Sequence, residues 1–152
     1  MPPGILCDGD NMLLHPAEEE KALFDTMRQE GVVVFDKPED VDKFREVLFV
    51  NGKSNPALVG KDAPVIAKAA GFDIPETTKV IALKVSAVGS ADILNKEIMG
   101  PVVVTKGYDT FEEAVAMAIQ NMTESGGIGH TAGIFSNDEE HIRYYSERIP
   151  VA

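Results

Sequence analysis

The sequence predicts an α/β fold, a mostly parallel sheet flanked by helices. Short apolar runs alternate along the chain with amphipathic segments of about 10 to 15 residues, the pattern typical of strand–helix–strand units. Residues 32–35 (VVVF) and 80–85 (VIALKV) are nearly all apolar, as expected of strands that are covered on both faces. The length of 152 residues suits one domain, so we predict a single unit over residues 1–152.

The elements follow from these patterns in chain order. The predicted strands are residues 12–14, 32–35, 80–85, 101–105 and 131–135. The predicted helices are residues 16–30, 37–50, 63–70, 111–123 and 138–149. Turns are predicted at residues 51–56 (NGKSNP) and 125–130 (SGGIGH), because glycine, asparagine and proline favour turns over regular structure.

Several residues mark the ends of these helices. Gly31 and Gly71 end the first and third helices, because glycine readily adopts the left-handed conformation that follows a helix. Asp62 is a candidate N-cap for the third helix. Thr110 is the expected N-cap of the strongest helix, and Glu113 at its third position completes a capping box.

Charge and composition argue against several classes of function. The chain has 14 Lys and Arg against 25 Asp and Glu, a net charge of −11. Such a surface repels phosphate backbones, so we expect no nucleic-acid partner. No apolar run reaches the roughly 20 residues that span a bilayer, and no signal peptide is recognisable. One cysteine cannot form an internal disulfide, and we expect a cytoplasmic protein without membrane contact.

The three histidines do not form a metal motif. His15 and His141 have no Cys, His or carboxylate partner at ligand spacing, so no metal site is expected. The glycine-rich stretch before His130 lacks the Lys-Ser/Thr of a phosphate-binding P-loop, and a helix precedes it rather than follows it. It is interpreted as a tight helix-to-strand connection, in which His130 is either structural or catalytic.

Cys7, in residues 4–11 (GILCDGDN), is the only cysteine of the chain. An isolated cysteine is either a small buried apolar residue or a reactive nucleophile. The acidic neighbours Asp8 and Asp10 disfavour the thiolate form that a nucleophile needs. The residues around Cys7 therefore leave both interpretations open.

Glu97 begins the unusual stretch EIMGPV. Gly100 and Pro101 impose a stiff entry into the next strand, so the carboxylate is held just before a turn. A carboxylate in that place can accept two hydrogen bonds from a diol, such as the ribose of a nicotinamide dinucleotide. The pattern also fits an ordinary exposed glutamate before a strand.

Four short motifs occur in order along the chain. They are LCDGD at 6–10 before the apolar residues 12–14, LVGKDA at 58–63 with AGF at 70–72, EIMGPV at 97–102 after the strand at 79–85, and GIGHT at 127–131. In this order they resemble the catalytic domain of the aldehyde dehydrogenase superfamily. The CoA-acylating branch, which includes aldehyde-alcohol and propionaldehyde dehydrogenases, is the most similar, and the resemblance runs from about residue 4 to residue 152.

The motifs depart from the family pattern at three positions. Asp10 replaces the usual Glu, Asn11 stands where Gln is frequent, and Met99 replaces Phe. A full-length member also has a Rossmann-type cofactor domain before the cysteine and a C-terminal segment that helps form oligomers. The resemblance implies that both parts are absent from this chain, either because it was cut from a longer enzyme or because a natural protein lost them.

The resemblance implies a chemistry for the complete enzyme. Cys7 as thiolate attacks a small aldehyde, hydride passes to NAD or NADP, and coenzyme A takes the acyl group, or the reverse occurs. Glu97, with Gly100 and Pro101, would bind the dinucleotide, and His130 would contribute to the coenzyme A step. The full-length enzyme is expected to be a homo-oligomer, and these 152 residues alone to be inactive.

Two other functions stay open at this point. One is a hydrolytic, non-acylating aldehyde dehydrogenase, whose general-base glutamate would lie ahead of the cysteine and outside this chain. The other is a non-enzymatic α/β interaction domain in which Cys7 is merely buried. The GIGHT motif at residues 127–131 favours the acylating branch.

Overall fold

The computed structural model describes residues 11–150, and its centre is a four-stranded parallel sheet. The motif around Cys7 lies outside the described residues. In chain order the strands are β1 (Met12–Pro16), β2 (Val33–Phe35), β3 (Phe49–Val50), β4 (Lys53–Ser54), β5 (Ile81–Lys84) and β6 (Val102–Tyr108). The sheet has the order β1-β6-β5-β2, whereas β3 and β4 form a separate antiparallel hairpin. The predicted α/β class is confirmed.

Each predicted helix is present. The helices are α1 (Glu20–Gln29), α2 (Pro38–Leu48), α3 (Ala63–Ala69), α4 (Phe111–Ser125) and α5 (Glu139–Ser146), and short 3-10 turns cover Ala17–Glu19, Gly89–Ala91 and Ile93–Asn95. The cap of α4 is confirmed, because Thr110 Oγ1 accepts a hydrogen bond from the Glu113 amide at 3.2 Å. The Glu113 carboxylate accepts in turn from the Asp109 amide at 2.7 Å. Asp62 takes the N-cap position of α3, but its side chain makes no capping hydrogen bond.

The connections place the helices on both faces of the sheet. The chain crosses from β1 to the far edge strand β2 through α1, and it returns to β5 through α2 and α3. Right-handed crossovers in opposite directions lie on opposite faces. The side chains agree, because Met12 packs against the core that α2 and α3 cover. His15 points to the other face, where its ring meets Phe24 of α1 at 5.8 Å.

The main core lies between the sheet and the pair α2 and α3. Phe44 is fully buried and contacts Phe35 at a centroid distance of 4.7 Å and Phe72 at 5.5 Å. Nine other buried apolar side chains of this cluster come from both helices and both central strands: Val41, Leu48, Ala63, Ile66, Ala67, Ile81, Leu83, Val102 and Val104. Burial of this area from water is the main force that holds the helices on the sheet.

Several sequence predictions were wrong in detail. The first helix begins at Glu20 rather than at residue 16, because β1 extends to Pro16 and Ala17–Glu19 form a 3-10 turn. The second helix ends at Leu48 rather than at residue 50, because Phe49 and Val50 enter the β3–β4 hairpin. Its turn uses Asn51 and Gly52, both with positive φ, as two-residue hairpins require. The predicted strand at residues 131–135 is irregular backbone. Its side chains alternate in exposure as in a strand, but within residues 11–150 the segment pairs with no neighbour.

Phe44 and Phe135 form a matched pair for testing where the core lies. Phe44→Ala should lower the free energy of unfolding by about 3–5 kcal/mol, because it leaves a cavity among packed rings. Phe135 is 96% exposed, so Phe135→Ala should change that free energy by no more than about 0.5 kcal/mol. Urea denaturation of the three proteins measures both values. Equal losses in the two variants would contradict this location of the core.

Candidate active site

The candidate site lies at the edge of the sheet where strands β1 and β6 begin, and it depends on the parallel pairing of these two strands. Met12 is opposite Val104, so the amino ends of the two strands lie at the same edge of the sheet. In the sequence, Cys7 precedes β1 by a few residues, and Gly100 and Pro101 directly precede β6. The pairing therefore brings the backbone that follows the cysteine motif next to the segment that carries Glu97.

The segment from Glu97 to the start of β6 is tightly folded. The Gly100 amide donates to the Ile98 carbonyl at 2.9 Å, and the Val102 amide donates to the Gly100 carbonyl at 2.8 Å. Gly100 is buried, and a Cβ added there would lie 3.2 Å from Ile66 Cδ1 of α3. Pro101 is also buried and fixes the backbone entering the strand. The turn before β6 is therefore a stiff support, as the sequence predicted.

A second motif packs against the same turn. The Gly60 amide, within the LVGKDA motif, donates to the Met99 carbonyl at 2.8 Å. Leu58 of that motif belongs to the buried core and lines a small gap of about 10 Å³ beside Ile98 and Gly100. A gap of this size has room for at most one water molecule. Two motifs that are separate in the sequence thus form one packed unit.

The Glu97 carboxylate is exposed at this edge. Among residues 11–150 it has no hydrogen-bond or ion-pair partner. A diol that reaches the carboxylate would therefore displace no partner that belongs to the described residues. Such a site suits the ribose hydroxyls of a dinucleotide.

Asn11 is a site residue that the sequence reasoning missed. Its side-chain amide donates to the Lys96 carbonyl at 3.2 Å, and its side-chain oxygen accepts from the Ile98 amide at 3.2 Å. Asn11 was noted only as a departure from the frequent Gln. Both residues are carboxamides, and this shared chemistry was the signal that could have found it.

The hydrogen bonds of His130 do not involve the Glu97 turn. It is exposed in the loop after α4, where its amide donates to the Gly127 carbonyl at 3.0 Å. Gly126 and Gly129 adopt positive φ values of 86° and 84°, which explains the glycines of this loop. No hydrogen bond links His130 to Glu97 in the part of the chain that the structure describes. A joint role of the two residues stays a prediction.

The end of α4 is fastened to the connection that leads to Glu97. The Gly89 amide donates to Asn121 Oδ1 at 3.1 Å, and the Ser90 amide and hydroxyl donate to the Glu124 carboxylate at 2.8 and 2.9 Å. The two hydrogen bonds from Ser90, with a further one from Gln120, lower the pKa of the Glu124 carboxyl below its ordinary value. Glu124 thus joins α4 to the chain between β5 and β6.

A larger cavity lies at the opposite, carboxyl edge of the sheet. Its volume is about 370 Å³, and Arg45, Lys84 and Asp92 line it. Both cations have partners already. Arg45 makes a two-pronged ion pair with the buried Asp92, at 2.9 and 2.5 Å, which raises the pKa of Arg45. Lys84 donates to Glu20 at 2.6 Å. Since these charges neutralise each other, the described residues that line the cavity offer no free cation to a ligand.

Two other kinds of feature are absent from the described residues. Within residues 11–150, no three His, Cys, Asp or Glu side chains are grouped so that they could hold a metal ion. None of the helices in that range combines the length and the apolar character needed to cross a membrane.

Known proteins resemble this chain in sequence and in fold. A model of the aldehyde dehydrogenase family matches residues 83–152. The chain is related to the aldehyde dehydrogenases. It is 42% identical over 149 residues to the succinate-semialdehyde dehydrogenase (acetylating) of Clostridium kluyveri, a match that covers 98% of this chain and 33% of that protein. This confirms the resemblance that the motifs indicated.

Two further aldehyde dehydrogenases extend the comparison. The aldehyde-alcohol dehydrogenase of Clostridium acetobutylicum is 30% identical over 135 residues, covering 89% of this chain and 15% of that protein. The crystal structure of an acetylating aldehyde dehydrogenase from Geobacillus thermoglucosidasius superposes with a TM-score of 0.90 at 28% identity, covering 97% of this chain and 32% of that chain. The chain thus spans about a third of the length of its Clostridium kluyveri relative and a smaller share of the aldehyde-alcohol dehydrogenase.

The Glu124 contacts predict an acid-sensitive stability. Because its pKa is lowered in the folded protein, the stabilisation is complete above the ordinary carboxyl pKa and is lost as pH falls through the lowered value. The melting temperature of the wild type should therefore exceed that of Glu124→Gln at pH 7, and the difference should shrink toward pH 3. Glu112→Gln on the exposed side of α4 is the control. A difference that is constant with pH would contradict this role of Glu124.

Proposed function

We propose that this chain supplies the catalytic segment of a CoA-acylating aldehyde dehydrogenase, which oxidises a small aldehyde to an acyl-CoA or runs the reverse reaction. One observation carries the proposal. The strand that follows the cysteine motif pairs in parallel with the strand that follows the Glu97 turn, and Asn11, at the start of the first strand, contacts the backbone of that turn. The acetylating relatives support the acylating branch over the hydrolytic one.

The roles of the residues follow from their chemistry. Cys7 as thiolate would attack the aldehyde carbonyl to form a thiohemiacetal, and the thiol of coenzyme A would later take the acyl group from the Cys7 thioester. NAD or NADP, when bound, supplies the hydride acceptor. Glu97 would accept hydrogen bonds from ribose hydroxyls, and Gly100 and Pro101 would keep its backbone in place. His130, exposed in the GIGHT loop, is proposed to contribute to the coenzyme A step.

A partner domain is part of this proposal. The Clostridium kluyveri relative and the Geobacillus thermoglucosidasius enzyme are about three times as long as this chain, and we propose that the dinucleotide is cradled mainly by a separate cofactor-binding domain. In this arrangement residues 1–152 act as one unit that contributes the nucleophile and a ribose ligand. A non-enzymatic interaction domain is the competing proposal, and resistance of Cys7 to alkylation in the folded protein would favour it.

Replacing the nucleophile tests the proposed chemistry. In the full-length protein, Cys7→Ala should lower kcat/KM for aldehyde, coenzyme A and NAD(P) at least about a thousandfold, because covalent catalysis is lost. Reduced cofactor is followed by absorbance, and acyl-CoA formation by mass spectrometry. His141→Ala is the control and should keep most of the activity, since the proposal gives His141 no role. Activity retained in Cys7→Ala would sink the proposal. Reduced cofactor without acyl-CoA would favour the hydrolytic alternative.

The 152-residue chain by itself should show no dehydrogenase turnover. Without a domain that cradles the dinucleotide, the hydride acceptor is not held beside the thiohemiacetal, and the rate advantage of a fixed orientation is lost. The same assay, with the full-length protein as the positive control, measures this. Appreciable turnover by the isolated chain would show that these residues bind the dinucleotide well enough alone.

A further inference from the structure

Asn11 makes an unusual set of hydrogen bonds for a residue at the start of a strand. Its side-chain nitrogen donates to the Lys96 carbonyl at 3.2 Å and approaches the Asn95 carbonyl at 3.5 Å. Its side-chain oxygen accepts from the Ile98 amide at 3.2 Å. Its main-chain carbonyl accepts from the Val104 amide at 2.9 Å, which begins the pairing of β1 with β6. Asn11 therefore holds together the start of β1 and the turn that precedes the neighbouring strand β6.

The two sides of Glu97 are held by this one side chain. Lys96 and Ile98 are the residues directly before and after Glu97, and the Asn11 carboxamide contacts the backbone of both. Ile98 is buried, with 8% of its surface exposed, so its amide depends on a protein partner. The Glu97 side chain projects between these two fastened positions and is exposed. The direction in which the Glu97 side chain leaves the backbone is thus set by contacts that do not involve its own carboxylate.

We infer that Asn11 is a positioning residue that fixes the direction of the Glu97 carboxylate toward the dinucleotide ribose. The inference rests on the proposed function, because it needs Glu97 to bind a ribose. Asn11 touches neither the dinucleotide nor the aldehyde in this role. It acts through the backbone of the Glu97 turn.

The hydrogen bonds of the Asn11 carboxamide predict which substitutions preserve its positioning role. A carboxamide is needed because one end donates to carbonyls and the other accepts from an amide. Asn11→Asp keeps the acceptor for Ile98, but it loses the donor and places a negative charge against the Lys96 carbonyl. Asn11→Gln keeps both functions with one more methylene group. Gln should therefore rescue most of what Ala and Asp lose.

Amide exchange in the 152-residue chain tests the contact itself. In Asn11→Ala, the Ile98 amide should exchange with deuterium about fivefold faster than in the wild type, relative to the amide of buried Leu83. Thr110→Ala is the matched control, because it removes the α4 cap and lowers stability without touching the Glu97 turn. It should leave the ratio of the Ile98 and Leu83 rates unchanged. NMR detection resolves the two amides.

Dinucleotide binding in the full-length protein tests the positioning role. NAD+ and NADP+ are titrated separately with fluorescence detection. Asn11→Ala and Asn11→Asp should raise the dissociation constant about tenfold, as should Glu97→Gln, with the KM for coenzyme A changed less than about twofold. Asn11→Gln should stay near the wild type. Thr110→Ala and Glu76→Gln, an exposed loop glutamate, should leave the dinucleotide constant unchanged.

The outcomes separate this inference from the proposed function. Weaker binding in Glu97→Gln but not in Asn11→Ala would overturn the inference and leave the proposed function intact. Equal binding by the wild type and Glu97→Gln, or no binding by the wild type, would end the ribose role of Glu97 and the inference with it. An unchanged Ile98 exchange rate in Asn11→Ala would overturn the inference even in a protein that binds no dinucleotide.

Discussion

Met12 and Val104 are separated by most of the chain, yet they lie side by side in a parallel strand pair. The candidate site depends on this pairing. A parallel pair needs a long crossover, and here the chain between β1 and β6 forms three helices, two strands of the sheet and the hairpin before it returns. Because the pair is parallel, the amino ends of both strands lie at one edge of the sheet. An antiparallel pair would have placed them at opposite edges.

The location of the candidate site at the amino edge has a physical explanation. In open parallel sheets, ligands usually bind at the carboxyl ends of the strands, where helix N-termini favour anionic groups. In this protein the carboxyl edge holds the cavity whose charges, Arg45, Asp92 and Lys84, are already paired. A carboxylate that receives hydrogen bonds from hydroxyl groups needs no positive helix dipole. The turn before β6 supplies what it does need, a fixed backbone and access to solvent.

The two proposed parts of the site, the Glu97 turn and the loop that carries His130, differ in how firmly the protein holds them. The Glu97 turn is fastened by hydrogen bonds with Gly60 and Asn11 and by the burial of Gly100. The loop that carries His130 has exposed side chains and left-handed glycines instead. A ribose ligand benefits from a carboxylate already in place, because little conformational entropy is lost on binding. A residue that meets a second substrate in a later step has less need of such a support.

The sequence by itself determined the α/β class, the five helices, the Thr110 cap and the stiff turn at Gly100 and Pro101, because each depends on local patterns of apolar, capping and turn residues. Residues 131–135 show where such patterns fail, since an alternating segment becomes a strand only when a neighbour pairs with it. Tertiary structure alone decided that β1 lies beside β6 and that Asn11 reaches the backbone on both sides of Glu97. Those contacts join residues more than 80 positions apart, and no local pattern encodes which distant backbone a carboxamide will meet.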